Sequence, residues 1–436
     1  MRKFYSFGLL MLMSSMFFGV MTVAQTVTVD NIEYYCYYYD GTAKLMNGKS
    51  ATGDVVIPAE VEYNGRKYRV TTIYYPAFWN NTAITSVKIP TSVNRIDSNA
   101  FGSCTNLTSI TSDADMFEEI GSNSFYKTPW LDNLQAENGL KYWKKWVIGT
   151  DLPDEAEDVH IKEGTIGMSV KDGSIRGKTL YIPKSLSKLD NTLDIRVEKM
   201  VVDTKNPTLF SDSSGAVYKK DGESMYDSGT GGYIYVKGQI LYRMPTNSPA
   251  NTYKVAEGTK ALARYAGWGN NYERIIVPEG CEAVIVHSFR NQKRCKYIEL
   301  LSTVNHFSLY YPIGASQLEL EVVLKAKKVP HTETAFGFNG CKHVTLYVPK
   351  ESLEEYLADP KYNGKFKEIK AIPDDAPLKG DVNGDGKVNA ADVTTVYNYI
   401  ANPEATGLTL DKVDINGDGN INATDITDLY NIIQVE

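Results

Sequence analysis

The sequence is poor in the residues and motifs from which many enzyme active sites are built. It has only five histidines in 436 residues, none at metal-ligand spacing, at positions 160, 287, 306, 331 and 343. It contains no HExxH zinc motif, no GxSxG nucleophile turn and no phosphate-binding glycine loop. Acidic pairs such as Glu118-Glu119 and Glu354-Glu355 are interpreted as solvated faces rather than as a glycosidase couple. We therefore expect no catalysis.

A cationic excess is absent as well. The 46 lysines and arginines are outnumbered by 53 acidic residues, giving a formal charge of −7, which argues against a nucleic acid as the main partner. Beyond its first residues, no segment approaches the ~20 consecutive apolar residues of a membrane-spanning helix. A hydrophobic fraction of 42% and a charged fraction of 23% indicate a soluble globular protein, and the length predicts two or three domains.

Residues 1–24 have the composition of a secretory signal peptide. A basic start, an apolar stretch and small residues before a cleavage site follow one another as Arg2-Lys3, Phe7–Val20 and Thr22-Val23-Ala24. Cleavage would fall before Gln25, and Cys36 is too distant for lipid attachment. An uncleaved anchor helix is the alternative. We expect the mature chain to be secreted or held at the cell surface, with no transmembrane anchor.

A repeat of 23 residues runs through the middle of the chain. When residues 70–87 are aligned with residues 93–110, apolar residues coincide at a constant offset. The pairs are Val70 with Val93, Ile73 with Ile96, Ala77-Phe78 with Ala100-Phe101, Ile84 with Leu107, and Val87 with Ile110. Such a constant offset is typical of a solenoid, in which each unit buries its apolar face against its neighbours.

Each unit predicts a short strand that ends at a proline, because proline cannot donate a ladder hydrogen bond. The marker recurs as Ile57-Pro58, Ile89-Pro90, Ile182-Pro183, Val277-Pro278 and Val348-Pro349. Seven residues after the start of a marker comes an inward aliphatic residue: Ile96, Leu189 or Val284. Five residues further on, Phe101 or Phe289 is expected to fill the interior of the coil.

These repeats resemble the bacterial surface leucine-rich-repeat family called BspA-like. The resemblance rests on "ITSVKIPTSVNRIDSNAFGSCTNLTSI" (84–110), "VEYNGRKYRVTTIYYPAFWN" (61–80) and "RIIVPEGCEAVIVHSFRNQKRCKYIEL" (274–300), and it covers roughly residues 26–372. It is poor over residues 203–245, where "YDSGTGGYIYVKG" predicts an inserted hairpin. Residues 347–369 resemble the closing unit of the family, a helix expected to cover the last open strand, since a bare edge invites aggregation.

The repeat also assigns places to most of the cysteines. Three of them stand three residues before a strand aliphatic: Cys104, Cys295 and Cys341. Cys281 takes the inward place that Val93 occupies in another repeat. We expect buried thiols, which pack as small hydrophobic groups, with a disulfide as the alternative. Cys36 has no place in the repeat.

Tyrosine is unusually abundant, with 30 tyrosines against 14 phenylalanines. In "EYYCYYYD" (33–40), a strand would place Tyr35, Tyr37 and Tyr39 on one face and Tyr34 and Tyr38 on the other. Exposed rings of this kind could stack on sugars or anchor a protein partner. The preferred interpretation is an N-terminal capping strand with one half-buried face.

Two 12-residue segments near the C-terminus have the oxygen pattern of a calcium loop, which supplies ligands from positions 1, 3, 5, 7, 9 and 12. In "DVNGDGKVNAAD" (381–392) these positions are Asp381, Asn383, Asp385, the Lys387 carbonyl, Asn389 and Asp392, with Gly386 at the turn. In "DINGDGNINATD" (414–425) they are Asp414, Asn416, Asp418, the Asn420 carbonyl, Asn422 and Asp425, with Gly419 at the turn. The pattern predicts two calcium ions; plain Asn/Gly turns are the alternative.

A helix is predicted after each loop, because apolar residues follow at i, i+3, i+4 and i+7. Val393, Val396, Tyr397 and Ile400 recur 33 residues later as Ile426, Leu429, Tyr430 and Ile433. The two apolar stripes are expected to pack together. No helical pattern precedes the first loop, so the unit lacks the entering helix of an EF-hand.

Two loop-then-helix units with Asp at position 12 resemble a type I dockerin module, over about residues 377–436. The resemblance implies a small calcium-folded domain that docks onto a cohesin domain. Family contacts at loop positions 10 and 11 correspond here to Ala390, Ala391, Ala423 and Thr424. Many members carry a Ser-Thr pair there and basic residues about two turns later, where this chain has Asn398-Tyr399 and Asn431-Ile432.

The predicted fold class is α+β, a β-rich leucine-rich-repeat solenoid followed by a small all-α calcium-binding domain. The expected division is a signal peptide (1–24), the solenoid with its caps (25–372), a short, fairly stiff linker (373–380) and the dockerin-type domain (381–436). We expect an exported non-catalytic binding or adhesion protein, whose solenoid recognises a protein or glycan and whose dockerin tethers it to a cohesin-like partner. The alternative is an accessory or enzymatic component of a polysaccharide-degrading assembly.

Overall fold

A computed structural model describes residues 25–435, except residues 155, 171–174, 190–194, 228–231, 313–318, 333–337, 374–379, 386 and 404–407. The signal-peptide prediction for residues 1–24 and most of the predicted linker lie outside the described residues. The chain divides into two compact units between Phe210 and Ser211.

The first unit contains an N-terminal antiparallel segment followed by mostly parallel strands. Its strands are β1 (Gln25–Val29), β2 (Ile32–Tyr37), β3 (Thr42–Asn47), β4 (Gly53–Val56), β5 (Glu60–Tyr63), β6 (Arg66–Ile73), β7 (Ile84–Ile89), β8 (Arg95–Ile96), β9 (Ser109–Ser112), β10 (Glu119–Ile120), β11 (Ala136–Glu137), β12 (Leu140–Trp143), β13 (Trp146–Thr150), β14 (Ala156–His160), β15 (Gly167–Met168), β16 (Ile175–Ile182) and β17 (Ile195–Val202). One short helix, α1 (Pro129–Asn133), is capped by the Thr128 hydroxyl.

The N-terminal strands cap the coils, as the tyrosine-rich segment predicted. β1, β2 and β3 pair antiparallel, and β3 then pairs parallel with β6. Tyr34 and Cys36 on β2 are buried, whereas Tyr35 and Tyr37 on the other face are half-buried. The strand ends at Tyr37, so Tyr38 lies beyond it and is exposed. The cap therefore buries one face and leaves the other partly open.

Each coil near the N-terminus contributes one strand to each of two parallel sheets. The order β4–β7–β9 forms one sheet, and the ends of β6, β8 and β10 pair in the other. Pro90 follows β7 directly, which confirms the proline marker as a strand end. Ile73, Ile96 and Ile120 occupy equivalent positions on β6, β8 and β10, and all three are buried. The sequence pattern identified Ile96 as an inward residue but not the two-residue strand that carries it.

Aromatic rings fill the interior of these coils. Phe101 lies between Phe78 and Phe125, with ring centroids 5.2 and 5.8 Å away and nearly parallel ring planes. All three rings are buried. Such offset stacks add to the free energy gained from burying the rings themselves. The predicted interior role of Phe101 is confirmed.

Buried asparagines brace the turns that precede strands. The Asn81 side chain donates to the carbonyls of Gly48 and Ala51, both at 2.9 Å, and accepts from the Ala83 amide at 2.7 Å. Asn206 makes the same kind of contacts about five repeats later. Because buried backbone groups need partners, each asparagine substitutes for the hydrogen bonds that a turn cannot make.

The second unit also consists mostly of parallel strands. Its strands are β18 (Leu209–Ser211, which spans the division), β19 (Val217–Lys219), β20 (Glu223–Asp227), β21 (Gly232–Val236), β22 (Ile240–Arg243), β23 (Thr252–Lys254), β24 (Ala261–Leu262), β25 (Arg274–Val277), β26 (Ala283–Val284), β27 (Tyr297–Leu300), β28 (His306–Phe307), β29 (Leu320–Leu324), β30 (Val344–Val348) and β31 (Glu368–Ala371). One sheet runs β22–β24–β26–β28 and another runs β23–β25–β27–β29–β30–β31. β20 and β21 pair antiparallel, which confirms the predicted inserted hairpin.

The predicted closing helix is present, but it does not end the sheet. A 3-10 turn (Lys350–Ser352) leads into α2 (Leu353–Ala358). Tyr356 and Tyr362 are buried, and their hydroxyls donate to the carbonyls of Ala326 (2.8 Å) and Pro330 (3.0 Å). β31 then follows α2 and pairs parallel with β30. The predicted helix is therefore present and packs beside β31, whereas β31 itself was not predicted from the sequence.

All five cysteines are free and buried. The Cys104 thiol donates to the Phe78 carbonyl at 3.0 Å, and Cys341 makes the same contact with the Leu309 carbonyl at 3.2 Å. Cys36, which the repeat did not place, lies on β2 of the N-terminal cap. The prediction of buried thiols rather than disulfides is confirmed.

The C-terminal segment is helical. Its helices are α3 (Ala390–Ala401), α4 (Leu410–Val413) and α5 (Ala423–Val435). The chain is thus a β-solenoid of stacked coils with a small helical end. Over residues 25–435, apart from the gaps given above, no helix has the length and apolar character to cross a membrane.

Candidate metal-binding loops and docking surface

In the first predicted calcium loop, acidic side chains fold the backbone through their own hydrogen bonds. One Asp381 carboxylate oxygen accepts from the amides of Gly384 (2.8 Å) and Asp385 (3.0 Å). Asp385 in turn accepts from the Lys387 amide at 2.9 Å, and Asn383 accepts from the Asp385 amide at 2.8 Å. These short-range contacts turn the chain tightly around a group of side-chain oxygens.

Asp392, at position 12, ties the two ends of this loop together. One of its oxygens accepts from the amides of Val382 (2.8 Å) and Asn383 (3.1 Å), near the start of the loop. The other accepts from the Asn389 amide at 2.9 Å, at the N-terminus of α3. Asn389 itself accepts from the Ala391 amide at 2.9 Å, which completes a capping box. Asp392 is fully buried although it carries an ionisable group.

The second loop repeats this network position by position. Asp414 accepts from the amides of Gly417 (2.6 Å), Asp418 (3.1 Å) and Gly419 (2.8 Å). The remaining bonds join Asn416 to the Asp418 amide, Asp418 to the Asn420 amide, Asp425 to the amides of Asn416 and Asn422, and Asn422 to the Thr424 amide. Asp425 is fully buried, as Asp392 is. Two segments with the same residue pattern therefore adopt the same loop.

Glycines at two loop positions allow the tight turn. Gly419, predicted at the turn of the second loop, has a φ of +83°; its counterpart Gly386 lies outside the described residues. Gly384 and Gly417, at position 4 of each loop, have φ values of +75° and +72° and were not singled out from the sequence. An L side chain rarely adopts this conformation, so the repeated glycine at position 4 was the available signal.

The donor set of both loops consists of oxygens. Each loop combines three carboxylates with two asparagine amides, which suits a hard cation such as calcium. Among the residues that the structure describes, no group of three His, Cys, Asp or Glu side chains is placed to hold a metal ion. The residue types of both loops nevertheless fit calcium, because every predicted donor is an oxygen.

The helices that follow the loops pack through fewer residues than the stripe predicted. Val393 and Val396 of α3 and Ile426 and Leu429 of α5 are buried in a common core. The rest of that core comes from the loops and α4: Val382, Val413 and Ile415. The predicted packing of Tyr397, Ile400 and Tyr430 is wrong, since Tyr397 is 55% and Tyr430 is 48% exposed and Ile400 is also exposed. The core thus combines four helix residues of the stripes with residues from the loops and α4.

The four predicted partner-contact residues are exposed, as these tyrosines are. Ala390 and Ala391 begin α3, Ala423 and Thr424 begin α5, and all four are exposed. The first turns of α3 and α5 differ in chemistry. In α5, the Thr424 hydroxyl bonds to Asn416 (2.9 Å) and Asn422 (2.8 Å) of its own loop. The first turns of α3 and α5 thus present small side chains to solvent.

Two protein-family models match this chain, one in the repeat region and the other at the C-terminal end. Residues 65–150 match the BspA type leucine rich repeat region, and residues 379–434 match the dockerin type I domain. The chain carries BspA-type leucine-rich repeats and a type I dockerin domain. Both domain types are non-catalytic and typical of extracellular or surface proteins, and type I dockerins typically bind calcium and dock onto cohesins.

Solved structures similar to this chain are bacterial leucine-rich-repeat proteins. A leucine rich cell surface protein from Faecalibacterium prausnitzii is 16% identical with a TM-score of 0.37, and the match covers 83% of this chain and 97% of that one. A leucine-rich repeat protein from Eubacterium ventriosum is 15% identical, with a TM-score of 0.39 and coverage of 80% and 85%. The pneumococcal vaccine antigen PcpA is 14% identical, with a TM-score of 0.31 and coverage of 81% and 100%. No curated protein matches the sequence significantly.

Proposed function

We propose that this chain is an exported, non-catalytic binding protein whose solenoid (25–372) recognises a ligand and whose dockerin domain (381–436) tethers it to a cohesin-like partner. The observation that carries the proposal is the closely matching hydrogen-bond network of the two C-terminal loops, followed in each case by two exposed residues at the start of a helix. The signal-peptide composition of residues 1–24 supports export.

Two calcium ions are part of this proposal. The residues that would hold them are Asp381, Asn383, Asp385, Lys387, Asn389 and Asp392 in the first loop and Asp414, Asn416, Asp418, Asn420, Asn422 and Asp425 in the second. Bound calcium would neutralise the clustered carboxylates. With three carboxylates per loop, we expect dissociation constants of roughly 10⁻⁶–10⁻³ M.

The proposed cohesin contact is the surface formed by Ala390 and Ala391 on α3 and Ala423 and Thr424 on α5. Their small side chains allow a partner to approach the helix backbones closely. Tyr397 and Tyr430, one to two turns later on the same helices, add two large exposed rings, and tyrosine is enriched at protein interfaces. The surface exists only while the loops hold the helices in place.

The tether is tested by capture of the full-length chain on immobilised cohesin domains, in millimolar calcium and in EDTA. We expect a calcium-dependent complex with at least one cohesin. The double variant Ala391→Arg/Thr424→Arg should abolish capture while leaving the calcium-dependent helical signal intact. Ala358→Arg, on the exposed part of α2, places the same side chain away from the surface and should bind normally.

Two outcomes would contradict the proposal in different ways. Absence of any calcium-dependent complex across the panel would reduce the domain to a stabilising end of the chain. Capture of the double variant as efficiently as the native chain would place the contact elsewhere. Calcium uptake is measured separately by titration calorimetry, in which the proposal expects two ions per chain.

A further inference from the structure

A corner of the coil takes the left-handed backbone conformation in both units, but with different residues. The position lies three residues after the inward residue of a short strand. In the first unit it is Asn99 (φ 57°) and Asn123 (φ 59°), a residue type that tolerates this conformation. In the second unit it is Tyr265 (φ 64°) and His287 (φ 69°). Histidine, like asparagine, is enriched in this conformation, whereas the bulky Tyr265 is a genuine outlier. Such outliers are frequent at functional sites.

These corner residues form a row of rings on successive coils. The rings of Tyr265 and His287 are 5.0 Å apart and nearly parallel, at 16°. The Tyr310 ring, from the equivalent position of the next coil, meets the His287 ring edge-on at 4.4 Å. Trp268 lies 5.5 Å from Tyr265. The ring row therefore advances by one residue per coil along the direction of stacking.

Two arginines flank this row. The Arg264 guanidinium lies 5.2 Å from the Tyr265 ring centroid, and the Arg290 guanidinium lies 5.5 Å from that of Tyr310. Both arginines are partly exposed. Guanidinium groups combine stacking on rings with fork-shaped hydrogen bonding to carboxylates and sulfates. The site thus pairs positive charge with ring faces, although the whole chain is acidic.

His287 leaves an unused polar group inside the cluster. It is only 9% exposed, and its Nδ1 is buried with no hydrogen-bond partner. The Nε of Arg290 is also buried without a partner. Burial, and then the charges of Arg264 and Arg290, lower the pKa of His287 to about 4, so its ring is neutral at pH 7. Buried polar groups that lack partners call for an explanation. Because these two atoms are enclosed, a ligand would contact the exposed parts of the arginines and rings around them.

We propose that this corner cluster binds an acidic polysaccharide. Its members are Arg264, Tyr265, Trp268, His287, Arg290 and Tyr310. Carboxylate or sulfate groups would bind the two guanidinium groups, and sugar rings would lie on the aromatic side chains. A row that repeats once per coil matches a polymer with a repeating unit better than a peptide of irregular sequence. The proposal rests on the solenoid being a binding surface.

Affinity gel electrophoresis of the full-length chain tests this site. Gels contain polygalacturonate (a uronate polymer), dextran sulfate or neutral dextran. We expect retardation in one or both acidic gels, none in neutral dextran, and loss of retardation at high salt. Arg290→Gln should weaken binding roughly tenfold, the loss of one charge-assisted contact. Arg294→Gln is the matched control, because Arg294 pairs with Glu273 outside the cluster and should bind normally.

Two further variants separate binding from folding. Tyr265→Asn and His287→Asn install the residue that the first unit uses at this corner, so the melting temperature should not fall. Both should still weaken binding to the acidic polymer. Retention of full binding in all three cluster variants would overturn the proposal. Equal retardation in neutral dextran, or equally tight binding of polyglutamate, would overturn the ligand class.

Failure here is distinguishable from failure of the proposed tether. Calcium-dependent cohesin capture depends on residues 381–436 and should be unchanged in every cluster variant. A chain that binds cohesin and another solenoid ligand but no acidic polysaccharide would refute this inference alone.

Discussion

The coils around Phe101 and the helical end around Asp392 bury opposite kinds of group at their centres. Phe101 is enclosed by two further phenylalanine rings and by aliphatic residues of neighbouring coils. Asp392 is equally buried but is an acid, and the core of its domain contains seven buried apolar residues among those that the structure describes. A solenoid can add apolar neighbours with every coil, whereas a domain of this size has little further surface to bury. The stability of the coils should therefore depend most on the volume of their buried side chains. The stability of the helical end should depend most on whether its buried carboxylates are neutralised.

Removal of calcium is expected to have the largest effect, confined to the helical end. Without a cation, the carboxylates of each loop repel one another, and Asp392 and Asp425 are buried. At a free calcium concentration 1,000-fold above the dissociation constant, each ion stabilises its loop by about 4 kcal/mol. Calorimetry with and without EDTA should show one transition abolished or moved far down in temperature. The transition temperature of the coils should not change. An equal shift of both transitions would contradict the proposed difference between the two regions.

Truncation of a stacked ring should come next. Phe101→Ala removes a ring that contacts two others and leaves a cavity, at a cost of about 3–5 kcal/mol. Phe101→Leu keeps most of the volume and should cost less than about 1.5 kcal/mol. Urea unfolding followed by tyrosine and tryptophan fluorescence measures both. Calcium affinity should be unaffected, and an equal cost for the two variants would show that cavity volume is not what matters.

Loss of a bracing asparagine should have a smaller effect of a different origin. Asn81→Ala leaves the carbonyls of Gly48 and Ala51 and the amide of Ala83 without their partner, which should cost about 1–3 kcal/mol. Asn106→Ala is the control, because the Asn106 amide bonds to the Thr82 carbonyl at an exposed position. Urea unfolding should show little change for the control. Similar costs for both would contradict the role of burial.

The smallest predicted effect is a pH dependence at His287. Its pKa is lowered from 6.5 to about 4, so the unfolded chain binds more protons between these values. Stability must then fall as pH falls from about 6.5 towards 4. The groups around the ring are Arg264, Arg290, Tyr265 and Tyr310. His287→Asn should flatten this slope in thermal melts; an unchanged slope would assign it to other groups.

The sequence pattern was most informative where one residue type repeats at a fixed interval. Ile96, Phe101 and the proline after β7 were predicted because every coil needs the same apolar interior. The strand β8 was not, since two residues carry no periodicity, and β31 was not, since a helix separates it from the repeat. The exposure of Tyr397 also escaped prediction. Helical spacing shows which side chains share a face, but not that the loop residues Val382 and Ile415 would join the core formed with α3 and α5.

The sequence pattern indicated where the two C-terminal loops lie, and it did not indicate the corner cluster. Asp381 and Asp392 have a spacing that follows from cation coordination alone. Tyr265 and His287 occupy a place that tolerates asparagine, so no rule of the repeat demands a ring there. Only the backbone conformation at those residues shows that they are unusual.

The burial of all five thiols affects how the chain would behave during export, because it lowers their reactivity. Burial raises the pKa of Cys104, Cys281 and Cys295 to about 12 and raises those of Cys36 and Cys341 as well. Only the thiolate exchanges with disulfides or oxidants, and the folded chain contains almost no thiolate. Its maturation should then require neither an oxidase nor an isomerase. The same native state should persist in reducing and in aerated surroundings.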